Sequence, residues 1–176
     1  MLIQPFDPSW KSDFESIEKV LLDRMYDSRL KIEHIGSTSV AGMAAKPIID
    51  LTIIHSDPSR FNQISKDLTG LGYKHVGDQG IPGREVFKRD PGKHIVLDSI
   101  HHHLYVCHSQ NGELKRHLLF RDYLRISEKD REVYKKLKLE IAKEANQDKK
   151  RYAILKEEKA SDFIEGILAK AFKMNS

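Results

Sequence analysis

The sequence predicts an α/β fold, with a mixed β-sheet flanked by helices and C-terminal helices packed on or beside it. Short apolar stretches bounded by glycine and proline alternate with helical repeats as far as Cys107. Turns at residues 80–83 and 90–92 join neighbouring strands as hairpins do, so part of the sheet is expected to be antiparallel. From Asn111 onward the apolar spacing is helical throughout.

The individual elements follow from their start and stop signals. Asp7 can cap a helix with Pro8 at its first position, and Asp57 with Pro58 opens another in the same way. Gly36 stops the first strand. In order, we expect a helix from residue 7 to 25, a strand over 30–35, a short imperfect helix over 37–45, strands over 47–54, 73–76, 85–89 and 100–107, a helix over 57–72, and three C-terminal helices. The second of those three has Ser127 and Asp130 as a capping box and Val133, Leu137 and Ile141 on its apolar side.

Bulk properties restrict the class of protein. The 176 residues fall in the range of one domain, so residues 1–176 are expected to form a single domain. A lone cysteine, no signal peptide and no apolar run of roughly 20 residues predict a cytoplasmic protein without a membrane partner. The net charge of +4 favours anionic partners, but the C-terminal lysines alternate with glutamates, so nucleic acid is not the expected one. The sequence carries no signal of oligomeric state.

The run from His34 to Val40 is the first candidate site. Gly36 lets the backbone approach an anion, and the hydroxyls of Ser37, Thr38 and Ser39 can donate to phosphate oxygens. The alternative is that Ser37 or Thr38 only caps a helix, and the local sequence leaves both interpretations open.

Asp50 is the second candidate. Ile49, Leu51 and Ile53 share one face of its strand, so Asp50 and Thr52 share the other. Burying an unpaired carboxylate costs several kcal/mol, which indicates a cleft, a partner or a metal ion. Following the Gly36 turn, Asp50 could hold a divalent cation that bridges nucleotide phosphates. Its structural alternative is a partner for Lys46 or a backbone cap.

The runs IEHIGSTSVAGMAAKPIID, HHHLYVC and FRDYLR, with the late Tyr152, Lys159, Phe163 and Ile164, resemble the GrpB family of the nucleotidyltransferase fold superfamily. The similarity covers nearly the whole chain. It implies that Gly36 and Ser37 form the superfamily's Gly-Ser turn, that Asp50 is its first metal-binding carboxylate, and that Mg²⁺ is the cofactor. Thr52 departs from the pattern, since the superfamily has a second acid there, and the third acid would fall on the later strand with the three histidines. Family members fused to dephospho-CoA kinase also allow an accessory role in coenzyme A metabolism.

His103 is the candidate on that later strand. Alternation places His101, His103 and Tyr105 on one face, and His103 faces the cleft if the strand lies beside Asp50. It is a candidate catalytic residue, as a general base, a phosphate partner or a metal ligand. A zinc site is not expected, because adjacent strand residues point to opposite sides.

Phosphate binding also needs cations. The candidates are Lys46, Arg84, Arg121 and Arg125, while Lys156 and Lys159 on the last helix are expected to face water. Arg121 and Arg125 lie four residues apart on one helix face, which suits capture of a phosphate. Alternatively, Arg121 makes structural ion pairs, and both interpretations stay open.

Two functions follow as hypotheses. One is a transferase that binds a nucleotide or another phosphorylated small molecule and moves a nucleotidyl or phosphoryl group to a small acceptor. The other is a nucleotide- or anion-binding module without turnover.

Overall fold

The structure is a computed structural model, and it describes residues 1–27 and 29–174. These residues contain five strands in one mixed sheet, with the order β1-β2-β5-β4-β3. The central strands β2 and β5 are parallel, and the other three pairs are antiparallel. The strands are β1 (Lys31–Ile35), β2 (Ile49–His55), β3 (Tyr73–His75), β4 (Arg84–Arg89) and β5 (His102–His108).

The helices are α1 (Ser9–Met25), α2 (Phe61–Gly70), α3 (Ile95–Ser99), α4 (Gly112–Ile126), α5 (Glu128–Glu144) and α6 (Lys149–Met174). Asp57 accepts a hydrogen bond from the Ser59 amide and so caps a short 3-10 turn that leads into α2. The hydroxyl of Ser127 accepts from the Asp130 amide at 3.4 Å, as the predicted capping box requires. No helix in the described part of the chain is both long and apolar enough to cross a bilayer.

One face of the sheet forms the main core. Leu51, Ile53, Leu104 and Val106 are fully buried there, in contact with the layer that contains α1 and α2. Each such side chain contributes about 1.5–3 kcal/mol when removed from water. A second core joins the C-terminal helices to the N-terminal segment and to residues 40–44. The opposite face of the sheet, which contains Asp50, therefore lies towards the C-terminal helices.

Two expectations about local structure are wrong. The helix expected over residues 37–45 is only a 3-10 turn at Ser37–Ser39, because Val40 is extended and Gly42 has a φ of 78°. The chain then pairs Ala45 with Gln4, so its backbone groups bond outside any helix. On α5, Val133 is exposed instead of buried. The buried residues of that helix are Asp130, Tyr134, Lys138, Ile141 and Ala142.

Candidate functional site

A cleft of about 650 Å³ lies between the sheet and the C-terminal helices. Most of the predicted site residues line it, although they come from three strands, two connecting segments and one helix. They are Gly36, Ser37, Thr38, Lys46, Asp50, Arg84, His103 and Arg121. Ser39 and Arg125 do not line it. A cleft of this size is typical of small-molecule sites.

Asp50 and His103 form a hydrogen-bonded pair in the lining of the cleft. They are direct neighbours across the parallel strands β2 and β5, and His103 Nδ1 lies 2.9 Å from Asp50 Oδ1. Because a carboxylate only accepts, Nδ1 carries the proton, and neutral His103 then has its lone pair on Nε2. The His103 side chain is 55% exposed, so Nε2 is accessible as a proton acceptor.

Gly36 packs directly against the carboxylate of Asp50. Its φ of 72° and ψ of −172° lie in a region that is essentially restricted to glycine. A Cβ atom built there would come within 2.6 Å of Asp50 Oδ2. Asp50 therefore uses Oδ1 for His103 and directs Oδ2 towards the turn.

The turn offers a donor hydroxyl and free backbone amides. The first internal bond of the 3-10 turn runs from Ser39 N to Gly36 O, so the amides of Ser37 and Thr38 precede it. Ser37 Oγ accepts a hydrogen bond from Lys138 at 2.9 Å, which leaves its own proton free. Ser39 Oγ instead donates to Gly36 O at 2.6 Å and is committed to the turn.

Thr38 has a structural hydroxyl. It is buried and donates to the Ile48 carbonyl at 3.2 Å, so it must accept from His34 Nε2 at 3.0 Å. His34 is therefore a donor at Nε2. Burial, with Arg125 and Arg121 acting in the same direction and Asp50 opposing them, lowers the pKa of His34 to about 4, so the imidazole is neutral at pH 7. The Thr38 hydroxyl is therefore engaged on both sides, and the group that Thr38 can offer to a ligand is its backbone amide.

Arg121 and Arg125 both tie α4 to the sheet layer. Arg121 is buried and donates to Glu33 at 2.6 Å, to Asp122 at 2.7 Å and to the His34 carbonyl at 2.9 Å. Arg125 donates to the Ser39 carbonyl at 3.0 Å. Of the two interpretations left open by the sequence, this geometry favours structural ion pairs.

Three lysines gather beside the turn, and two of them were not among the predicted site residues. Lys46 lies over the Tyr152 ring, 4.4 Å from its centroid, and Lys138 and Lys156 line the same cleft. Lys138 is almost fully buried and donates to Ser37 Oγ and to the Ala44 carbonyl. Burial lowers its pKa to about 7, with repulsion from Lys156 acting in the same direction. Lys156 does not simply face water as expected.

The sequence contained a signal for Lys138. It occupies the position between Tyr134 and Ile141 in the buried stripe of α5, where a lysine needs a partner. Because Lys138 lies in a run of lysines that are otherwise solvated, its burial was not recognised from the sequence. Lys159, in contrast, pairs with Glu144 at 2.5 Å on the surface.

The cleft also contains aromatic and basic groups from β4, β5 and α4. The Arg84 guanidinium lies over the Tyr105 ring, 4.9 Å from its centroid. His117 contacts Glu113 at 3.1 Å, and burial lowers the pKa of His117. Burial also raises the pKa of Tyr105 to about 12, with Asp50 adding to the effect.

The donor set for a metal ion is small. No group of three or more His, Cys, Asp or Glu side chains able to hold a metal occurs within residues 1–27 and 29–174. Thr52 is buried beside the Cys107 thiol and does not line the main cleft. Asp50 Oδ2, next to the position that a Cβ of Gly36 would occupy, is a carboxylate oxygen available beside the turn. It fits Mg²⁺ as one ligand among phosphate and water oxygens, which is how Mg²⁺ is commonly bound beside nucleotides.

Comparison with known proteins identifies the family. A family model described as GrpB protein matches residues 1–170. The chain belongs to the GrpB family. It is 30% identical over 167 residues to UPF0157 protein BH1888 of Halalkalibacterium halodurans, covering 94% of this chain and 80% of that protein. It is 32% identical over 164 residues to glutamate-rich protein GrpB of Alkalihalophilus pseudofirmus, covering 91% and 89%.

UPF0157 protein YqkA of Bacillus subtilis is longer than the region that matches. It is 35% identical over 138 residues, covering 78% of this chain but 38% of YqkA, so the chain spans well under half of that relative.

Solved structures agree with the family and the fold. The crystal structure of conserved protein GrpB from Enterococcus faecalis superposes with a TM-score of 0.79 at 28% identity and covers 98% of both chains. Cid1, in complex with its short product ApU, gives a TM-score of 0.55 at 14% identity, covering 80% of this chain and 43% of Cid1. A mutant of the Cid1 poly(U) polymerase bound to MgATP gives 0.56 at 13% identity, covering 82% and 45%. At such low identity the likeness shows the fold alone. The expected nucleotidyltransferase-like mixed sheet is confirmed.

Proposed function

We propose that this GrpB-family chain is a nucleotide-binding transferase that moves a nucleotidyl group to a small acceptor. The observation that carries the proposal is the Asp50–His103 pair, which lies in one cleft with the Gly36 turn. The fold shared with Cid1, described in complex with ApU and with MgATP, supports a nucleotide as the partner.

The nucleotide phosphates lie at the turn. The amides of Ser37 and Thr38 and the Ser37 hydroxyl donate to phosphate oxygens, and Lys46 and Lys156 neutralise their charge. Lys138 acts through Ser37, because its hydrogen bond to Oγ at 2.9 Å orients the hydroxyl proton away from the lysine.

His103 is the general base in this mechanism. An acceptor oxygen attacks the α-phosphorus, and its proton passes to His103 Nε2. The bond from the α-phosphorus to its bridging oxygen breaks, and pyrophosphate leaves with the electron pair. Asp50 holds Nδ1–H at 2.9 Å and stabilises the imidazolium that forms.

Magnesium would be held by Asp50 together with the phosphates, and when bound it supplies neutralisation of phosphate charge. Phosphoryl transfer would use the same groups on the terminal phosphate, with the nucleoside diphosphate leaving instead of pyrophosphate.

The test is a thermal-shift panel of nucleoside triphosphates, with and without MgCl₂. A ligand at 100 times its Kd stabilises by about 2.7 kcal/mol, or roughly 5–11 °C for a chain of this size. We expect Asp50→Asn to lose the magnesium-dependent part of the shift. Asp162→Asn is the control, because this exposed carboxylate lies on α6, away from the cleft lining. A wild-type chain that responds to no nucleotide would contradict the proposal.

Turnover separates the transferase from a binding protein. Product formation is measured by mass spectrometry with a mixture of small hydroxylated acceptors. We expect His103→Ala to bind nucleotide but to form product about 10²–10⁴-fold more slowly, since that is the usual contribution of a general base. His101→Ala is the matched control, because His101 is exposed and does not line the cleft.

A nucleotide-binding module without turnover is the second candidate function. The observation that favours it is Thr52, a buried hydroxyl at the position of the superfamily's second acid. Undiminished nucleotide affinity in Asp50→Asn, with no product from the wild-type chain, would establish this alternative over the transferase.

A further inference from the structure

Arg84 lies in the cleft, and no carboxylate of the described residues pairs with its positive charge. It lines the cleft from β4, and its Nε is buried without a hydrogen-bond partner. Across the part of the chain that the structure describes, the guanidinium forms no ion pair, and its contact is the ring of Tyr105. Another arginine of the cleft lining, Arg116, is paired with Glu165 at 2.5 Å and Glu113 at 3.5 Å. Arg84 is therefore the arginine available to a ligand.

Tyr105 adds a second donor at the same place. Its side chain is largely buried, yet it lines the cleft, and its hydroxyl has no bonding partner in residues 1–27 and 29–174. The phenol remains protonated at neutral pH, because burial raises its pKa to about 12. Arg84 above the ring and the Tyr105 hydroxyl can donate to the same anionic group.

The position of this pair relative to His103 defines its use. His103 and Tyr105 are two residues apart on one face of β5, so they are separated by about 7 Å along the strand. The sheet order places β4 on the far side of β5 from β2 and from the turn that follows β1. Arg84 thus lies on the β4 side of the Asp50–His103 pair, and the Gly36 turn lies on the other side.

We infer that Arg84 and Tyr105 form a second anion subsite, which binds a carboxylate or phosphate carried by the acceptor. This inference rests on the proposed transfer at His103. An acceptor anchored at Arg84 and presenting its oxygen to His103 Nε2 spans roughly 7–10 Å, the length of a small metabolite. The nearby Glu113 carboxylate does not oppose it, because Glu113 is engaged by His117 and Arg116.

The test is a titration of the ¹⁵N-labelled full chain followed by NMR, with inorganic phosphate and sodium acetate as separate probes. Ionic strength is held constant with chloride. The Arg84 Nε–Hε resonance and the Tyr105 amide report on the proposed subsite, and the Ser37 amide reports on the turn. We expect both sets to shift with phosphate and with different midpoints. A response at Arg84 to phosphate alone assigns a phosphorylated acceptor, and a response to acetate assigns a carboxylate. No response at Arg84 to either probe overturns the inference.

Substitutions test the assignment. We expect Arg84→Gln to weaken the Tyr105 response at least fivefold and to leave the midpoint of the Ser37 response within twofold. Arg151→Gln, the same change of charge at an exposed position that does not line the cleft, should leave both midpoints within twofold. A Tyr105 response that persists unchanged in Arg84→Gln overturns the inference, and the wild-type titration decides it if that variant does not fold.

The inference and the proposed function fail separately. A chain that binds no nucleotide but titrates phosphate at Arg84 disproves the transferase and retains the subsite. A chain that binds nucleotide through Asp50 but shows no anion response at Arg84 disproves the subsite alone.

Discussion

Replacing Gly36 by alanine should disrupt the site through two separable effects. The backbone at φ 72° and ψ −172° becomes strained for any residue with a Cβ. The new methyl group would also lie 2.6 Å from Asp50 Oδ2, so the carboxylate must rotate away and release His103.

The size of the loss follows from these two effects. The backbone strain costs about 1–3 kcal/mol. Loss of the Asp50–His103 contact adds about 0.5–1 kcal/mol, a value reduced for partial exposure of both side chains. A total of about 3 kcal/mol corresponds to a fall in Tm of roughly 6–12 °C for a chain of this length. We expect the magnesium-dependent nucleotide shift to be lost as well.

The assay is thermal unfolding of Gly36→Ala beside Gly166→Ala. Gly166 lies inside α6 with no neighbour within 4 Å of a built Cβ. Alanine there should therefore raise stability by about 1 kcal/mol through helix propensity. A double-mutant cycle with Asp50→Ala then isolates the clash, because only the backbone cost remains when the carboxylate is absent.

Two results would contradict the destabilisation expected for Gly36→Ala. One is a Tm for Gly36→Ala within about 1 °C of the wild type, given that about 3 kcal/mol is expected. The other is an equal loss in the Asp50→Ala background, which would show that the carboxylate contact has no part in the effect.

Three further predictions concern the buried charges. The pKa of His34 is about 4, below its ordinary value, so on acidification the unfolded chain takes up a proton here at a higher pH than the folded chain does. The free energy of unfolding therefore falls as the pH drops from about 6.5 to 4. Urea unfolding at pH 7 and 4.5 should show that this fall is smaller by about 2–3 kcal/mol in His34→Gln than in the wild type. The pKa of Lys138 is about 7, so the unfolded chain holds more protons than the folded chain between pH 7 and 10.5, and the free energy of unfolding rises with pH in that window. In Lys138→Met the rise between pH 7 and 9.5 should shrink by roughly 3 kcal/mol. An unchanged rise would exclude this lysine as its source. Arg121→Met should lower the free energy of unfolding in urea by about 2–3 kcal/mol, because Glu33 and a buried carbonyl lose their partner. Arg125→Met, at a half-exposed site, should lower it by under about 1 kcal/mol. Equal losses in the two variants would contradict the structural role given to Arg121.

Local periodicity predicts which residues of β2 and β5 share a face, and the condition that the two strands are neighbours is met by the structure. The alternation in β2 separates Asp50 from the core-facing isoleucines, and the alternation in β5 separates His103 from Leu104. Because the two strands are parallel neighbours in register, these separate predictions converge on one pair. Both depend on period-two patterning, which a sequence displays directly.

Local periodicity does not determine which distant residues of the chain come into contact. Lys138 reaches Ser37 across 101 residues, and the choice of buried face on α5 depends on how that helix packs. The stretch after Ser39 has helical composition but instead pairs Ala45 with Gln4, a partner that local propensity cannot reveal. Only tertiary contacts determine these features.

The hydrogen bonds from Lys138 to Ser37 and Ala44 have a consequence for synthesis on the ribosome. The sheet that holds Asp50 and His103 is complete in sequence by His108, but the lysine that supports the Gly36 turn lies thirty positions later. A nascent chain that has exposed only its strands therefore lacks the opposite wall of the cleft. Under the proposed function, nucleotide binding should begin only after the α5 segment has left the exit tunnel, so binding would report that this region has been translated.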